Sequence, residues 1–201
     1  MRIYPVIAFF CCLPVLAQSQ SSYGDSLLLY QKQYVDTHEV VKDGDRRYIS
    51  FYPVNKEYCV IASFEKLNST NVFTMTTSSG KEKKYLKYGL VKFRIHDTLQ
   101  QLYIYQSIDL MKQKKYKDYL FIPFGDATSG FTSYGGGRYM DFVIDDIKEG
   151  YLTVDFNKAY NPYCAYTAGY NCPIPPSENI LKVAITAGEK NYSKPVHQNF
   201  H

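Results

Sequence analysis

Apolar residues recur at every second position over most of the chain, and that period restricts it to β structure. Tyr58, Val60, Ala62 and Phe64 share one face of an extended segment. Val91, Phe93 and Ile95 share another while Lys92 and Arg94 turn away, and Leu152, Val154, Phe156 and then Leu181, Val183, Ile185 repeat the pattern. Val72 to Thr76, Leu99 to Gln106, Tyr119 to Phe124 and Tyr139 to Asp145 are further candidate strands. No long helical pattern lies between them, which argues against parallel crossovers. The expected fold is mainly β, a single antiparallel sandwich or partly closed barrel of about eight strands. One N-terminal helix is expected, capped by Asp25, with Leu27, Leu28, Tyr30, Tyr34 and Val35 at helical spacing and one face packed on the sheet.

The chain has 201 residues, enough for one domain whose core needs no metal or dense disulfides. Residues 1–20 read MRIYPVIAFFCCLPVLAQSQ. One arginine, a short uncharged apolar run and a small-residue site after Ala17 are the marks of a secretory signal peptide, so residues 1–17 are expected to be removed on export to the periplasm or beyond. Cys11 and Cys12 raise a lipid anchor, but Phe9 and Phe10 stand where a lipoprotein signal wants small residues. A polar linker over 18–23, a single β-rich domain over 24–190 and a tail over 191–201 would follow. No later run reaches the ~18 apolar residues of a transmembrane helix, so the mature chain should be soluble. With 23 basic and 19 acidic side chains the net charge is +4, which is too little and too dispersed for a nucleic-acid surface. The basic run Lys112 to Lys117 reads as a solvated loop. Tyrosine is unusually common at 21, with no tryptophan.

Three stretches in the second half break the alternation. In the first, Asp126 is followed by Gly135-Gly136-Gly137-Arg138 and Asp141. Successive glycines permit close backbone approach, and their amides with Arg138 can hold an anion; equally, Arg138 can pair with Asp126 or Asp141 within a tight connection. The phosphate-loop spacing and lysine are absent. The second stretch, DFNKAYNPYCAY (155 to 166), brings Tyr160, Asn161 and Cys164, with Cys172 eight positions on. A disulfide is expected there, worth at most ~2.5 kcal/mol by chain entropy, with a metal or persulfide site and a reactive thiol as alternatives. Cys59 would stay reduced and buried in its strand. The histidines lie far from this loop in sequence, so no metal and no cofactor are assigned. In the third stretch, Pro173-Ile174-Pro175-Pro176 delivers Glu178 and Asn179 to the edge of the last expected strand.

Taken in order, KYLKYG (84 to 89), LFIPFGDATSG (120 to 130), YGGGRYMD (134 to 141), DFNKAYNPYCAY, CPIPPSEN (172 to 179) and AGEK (187 to 190) make the chain resemble a bacterial and archaeal domain-of-unknown-function family, number sixteen-eighty-four. The resemblance spans roughly residues 30 to 190. It brings no activity. It implies a single β-rich domain, often exported, with its motif residues gathered in the second half. The segment Thr37 to Lys42 departs from the Ser-Pro-Leu form associated with many members.

The leading functional expectation is an exported module binding a small anionic or polar ligand, at a site built from Asp126, Gly135, Gly136, Gly137, Arg138, Tyr160, Asn161, Glu178 and Asn179. A hydrolase is the main alternative, with Glu178 or Asp141 as general base and Arg138 with the glycine amides as anion clamp. No nucleophile elbow, paired-carboxylate motif or nearby histidine supports it. The third class is a structural or assembly partner in the cell envelope, using an exposed sheet edge.

Overall fold

The structure, a computed structural model, describes residues 22–68 and 71–195. The expected leader and most of the linker lie outside the described residues. A 14-residue helix, α1 (Tyr23–Asp36), begins inside the expected linker. Its N-cap is Ser22 rather than Asp25, which stands three residues on and completes the reciprocal capping box. Leu27 and Gln31 are buried but Leu28 is 58% exposed, so the buried stripe is narrower than expected. The helix docks largely through tyrosine hydroxyls: Tyr23 donates to Asp155 and Tyr30 to the Lys158 carbonyl.

Seven antiparallel strands then form one curled half-barrel sheet: β1 (Cys59–Lys66), β2 (Val72–Thr76), β3 (Glu82–Ile95), β4 (Thr98–Ser107), β5 (Tyr119–Phe124), β6 (Arg138–Val143) and β7 (Tyr151–Asp155). Their order is β6-β5-β4-β3-β1-β7, with β2 beside the first part of β3. The long β3 pairs with β2 over Glu82 to Leu86 and with β1 over Gly89 to Lys92, and a bulge at Lys87 and Gly89 separates the two pairings. The sheet stays open between β6 and β7, whose residues line a cleft of about 670 Å³. Cys59 also lines this cleft; it is reduced as expected but only half-buried, because it faces the start of α1 and not the core.

Both faces are covered where β4, β5 and β6 meet. Leu102, Ile104, Leu120, Ile122, Phe124 and Met140 turn into the main core. The alternate residues Tyr105, Phe121 and Tyr139 join Met75 and Tyr85 in a second, tyrosine-rich cluster on the opposite face. Burial on both sides explains why β5 reads YLFIPF with almost no polar position.

The expected strand through Leu181, Val183 and Ile185 does not form. Their alternating burial survives, but part of their hydrogen bonding goes elsewhere. The Leu181 amide donates to the Gly125 carbonyl, the Ile185 amide to Asp126, and the Ile185 carbonyl accepts from Arg138. At the start of the expected tail, the Asn191 amide donates to the Thr132 carbonyl and Lys194 pairs with Asp45.

Candidate functional site

The nine residues expected to gather at one site are divided among several places. Arg138 is fully buried, and its fork faces inward. Its Nη2 donates to Asp126 Oδ2 at 2.9 Å and to the Ile185 carbonyl at 2.9 Å, while Nη1 donates to the carbonyls of Ala187 and Glu189. Asp126 is equally buried, its Oδ1 taken by the Thr128 amide and hydroxyl and by the Ile185 amide. This ion pair ties the end of β5 to the 185–189 segment, and an anion would find no guanidinium donor turned outward. The glycines serve the turn. A Cβ on Gly137, whose φ is +83°, would lie 2.7 Å from the Phe124 carbonyl and 2.5 Å from Pro175.

Asn179 is also fully buried and belongs to the sheet, where its amide stands between β4 and β5. Glu178 sits near it with Lys87 Nζ at 2.7 Å and Tyr105 donating at 3.1 Å. Burial alone would raise the Glu178 carboxyl, but Lys87 and Tyr105 more than offset that and hold it below its usual range. It is thus a poor general base.

Asp141 and Tyr160 do come together. They line a pocket of about 750 Å³ bounded by α1, β6 and the loop closed by the Cys164–Cys172 disulfide. Asp141 is open to solvent at this wall. Tyr119 and Tyr160 both donate to its Oδ1 at 2.7 Å, leaving Oδ2 without a hydrogen bond from any described residue. The surrounding protein desolvates the carboxyl and raises its pKa, against the two phenol bonds, which favour the anion. Tyr30 and Tyr139 supply further walls, the rings of Tyr139 and Tyr160 standing perpendicular at 5.9 Å. Burial pushes Tyr30 up to about 12 and the other two higher, so all three remain phenols at neutral pH. His38 also lines the pocket; its Nδ1 accepts from the Val41 amide, which puts the proton of a neutral ring on Nε2. That Nε2 is buried without a partner among the described residues. Burial, with Arg46 and Lys42 nearby, lowers the His38 pKa and keeps the ring neutral.

With this geometry in place, the chain can be compared with known proteins. A family model described as "Protein of unknown function (DUF1684)" matches residues 46–190. The chain belongs to that family. The DUF1684 match takes in all six motifs, including Asp141, Tyr160 and the disulfide loop, but begins after α1; Tyr30, Tyr34 and His38 therefore reach the pocket from outside it. The chain is also similar to an uncharacterized protein of Haloarcula marismortui with a solution NMR structure, at 29% identity and a TM-score of 0.63, over 85% of this chain and 95% of that one. No curated protein matched. Among the described residues no group of three or more His, Cys, Asp or Glu side chains is arranged to hold a metal ion, and no helix is long and apolar enough to cross a membrane.

Behind the pocket lies a residue that sequence reasoning missed. Glu189, in the AGEK motif, is fully buried and accepts from the Tyr34 hydroxyl, the Tyr166 hydroxyl and the Asn161 amide. Asn161, expected to bind ligand, is itself buried and backs this carboxyl instead. Gly188 makes the turn possible at φ +78°, where a Cβ would lie 2.6 Å from the Phe156 carbonyl. Desolvation outweighs the donated hydrogen bonds and lifts Glu189 from 4.5 to about 7. A carboxyl whose folded pKa is raised contributes its proton-linked stability below the unfolded value and loses it as pH rises through the folded one. Stability should therefore fall by about 3 kcal/mol between pH 4.5 and 8 on account of Glu189 alone. Asp141 and Glu178 also titrate, so the wild type is to be compared with Glu189→Gln in urea unfolding at pH 5 and 8. The expected gap between the two proteins widens in the variant's favour at pH 8; curves that stay parallel would mean Glu189 titrates normally.

Proposed function

We propose that the protein is an exported ligand-binding module whose site is the tyrosine-walled pocket at Asp141. The observation that carries this reading is the carboxylate itself, fixed by two phenols through Oδ1, with no hydrogen bond to Oδ2 from any described residue, in the wall of a cavity of ligand size. Of the residues expected from sequence to bind, Tyr160 keeps that role, while Arg138, Asp126 and Asn179 do structural work; Asp141, expected as a general base or a partner of Arg138, takes a binding role here. A polar ligand fits the pocket. An anionic one does not, because Asp141 and Glu39 both line it and Lys83 is the one lysine or arginine among its described lining residues. The leader-like N-terminus and the Cys164–Cys172 bridge support an oxidising compartment outside the cytoplasm. If the pocket has chemistry, Asp141 with its raised pKa is a better general base than Glu178.

A ligand-observed NMR screen with cationic, neutral polar and anionic fragments tests the site, using wild type and Asp141→Asn. Asparagine keeps the Oδ1 acceptor for both phenols and removes the charge, so the fold should persist while pocket binders weaken about tenfold. Hits that map to the 134–138 turn or to Glu178, or binding unaffected by the substitution, would overturn the assignment. Protein recovered from its native envelope with residues 1–17 still attached would end the export half of the reading.

A further inference from the structure

The chemistry of the pocket narrows the ligand. Aromatic faces attract cations through the ring quadrupole, most effectively where a carboxylate stands behind them and water is partly excluded. The rings of Tyr139 and Tyr160 stand perpendicular 5.9 Å apart, Tyr34 lies 6.3 Å from Tyr160, and Asp141, whose Oδ2 has no hydrogen bond from any described residue, is in the same wall. Tyrosine faces in this molecule already take ammonium groups. Lys158 Nζ lies 5.7 Å from the centre of Tyr30, a ring that borders both this pocket and the cleft beside it, and Lys87 Nζ lies 4.5 Å from that of Tyr103. Three alternatives are weaker. Phosphate or carboxylate would meet Asp141 and Glu39 with Arg138 sequestered. A metal ion would lack a set of three ligands among the described residues. A purely apolar ligand would cover the Asp141 carboxylate without offering Oδ2 a partner.

We propose that the pocket recognises an organic ammonium group. This rests on the reading of the pocket as the binding site and adds the ligand class. The ammonium lies against the Tyr139–Tyr160 ring pair with Asp141 as counter-ion. The cavity exceeds what choline fills, so choline serves as a probe for the recognised group.

The test titrates the whole exported chain, followed by NMR, with choline and with its neutral carbon isostere 3,3-dimethylbutan-1-ol, which matches it in shape and hydroxyl. Choline is expected to bind at least about tenfold more tightly than the isostere and to shift resonances around Tyr30, Tyr139 and Tyr160. Asp141→Asn should lose about tenfold for choline and nothing for the isostere; Tyr160→Phe, which keeps the ring, should retain most choline binding. Equal binding of the isostere, or choline shifts centred elsewhere, would overturn the proposal. Pocket binding of a neutral or anionic fragment with none of choline would overturn the ligand class and leave the site standing. Silence from every fragment class would bring down both.

Discussion

Arg138→Lys is expected to destabilise the fold by about 4 kcal/mol and to lower the melting temperature by roughly 10 °C. Lysine keeps the charge. It cannot keep four hydrogen bonds running in two directions, to Asp126 on one side and to the carbonyls of Ile185, Ala187 and Glu189 on the other. Whichever it abandons is left in an interior that no water reaches, and an unpaired buried carboxylate or carbonyl costs more than the lost bond was worth. Urea unfolding of the variant checks the size. A double-mutant cycle with Asp126→Asn checks the cause: because both changes break one pair, their combined cost should be well below the sum. A variant that melts within a degree or two of wild type while losing a ligand would return Arg138 to a recognition role. Choline binding, by contrast, should survive Arg138→Lys under conditions where the protein is folded.

The strands were legible because a half-buried strand writes its pleat directly into the sequence. Val72–Thr76 and Tyr119–Phe124 could be bounded to the residue from alternation or an apolar run ended by turn-forming or charged residues. The same signal misled at Leu181, Val183 and Ile185. Alternate burial needs only an extended chain over a core; it does not say whether the partner is a strand or the fork of Arg138. The candidate site was harder for a related reason. Arg138, Asp126 and Asp141 stand close in sequence, but what decides Arg138's employment is a run of carbonyls 47 to 51 residues away. The pocket tyrosines come from positions 30, 34, 139, 160, 163 and 170, too scattered for any spacing rule. Composition alone hinted at them, through 21 tyrosines. Glu189 offered less still, since a glutamate between glycine and lysine near a chain end reads as a surface residue until the fold buries it.

Asn179→Ala is expected to cost about 4 kcal/mol, an effect that begins with a proline in the middle of the sheet. Pro123 sits in β5, where its missing N–H should break the ladder. On the β6 side nothing is lost, because Tyr139 directs its own amide and carbonyl outward to Tyr160, making Pro123 and Tyr139 a pair that exchanges no hydrogen bonds. The loss falls toward β4, and there the two strands pair regularly only at Tyr105 and Phe121. The Asn179 side chain fills the gap as a strand would. Its Oδ1 accepts from the Tyr103 amide at 2.8 Å, and its Nδ2 donates to the Tyr103 carbonyl at 2.9 Å and to the Pro123 carbonyl at 2.8 Å. Alanine removes all three partners from buried backbone groups, each worth ~1–2 kcal/mol when left unsatisfied. Asn179→Asp should do no better: the carboxylate can accept from Tyr103 but has nothing to donate to two carbonyls, and it buries a charge. Urea unfolding measures the cost, and amide exchange at Tyr103 locates it, since that proton should lose protection first. A loss under about 1 kcal/mol with Tyr103 still protected would mean that β4 and β5 can close on each other without the amide, and that the proline, not Asn179, sets the width of the seam.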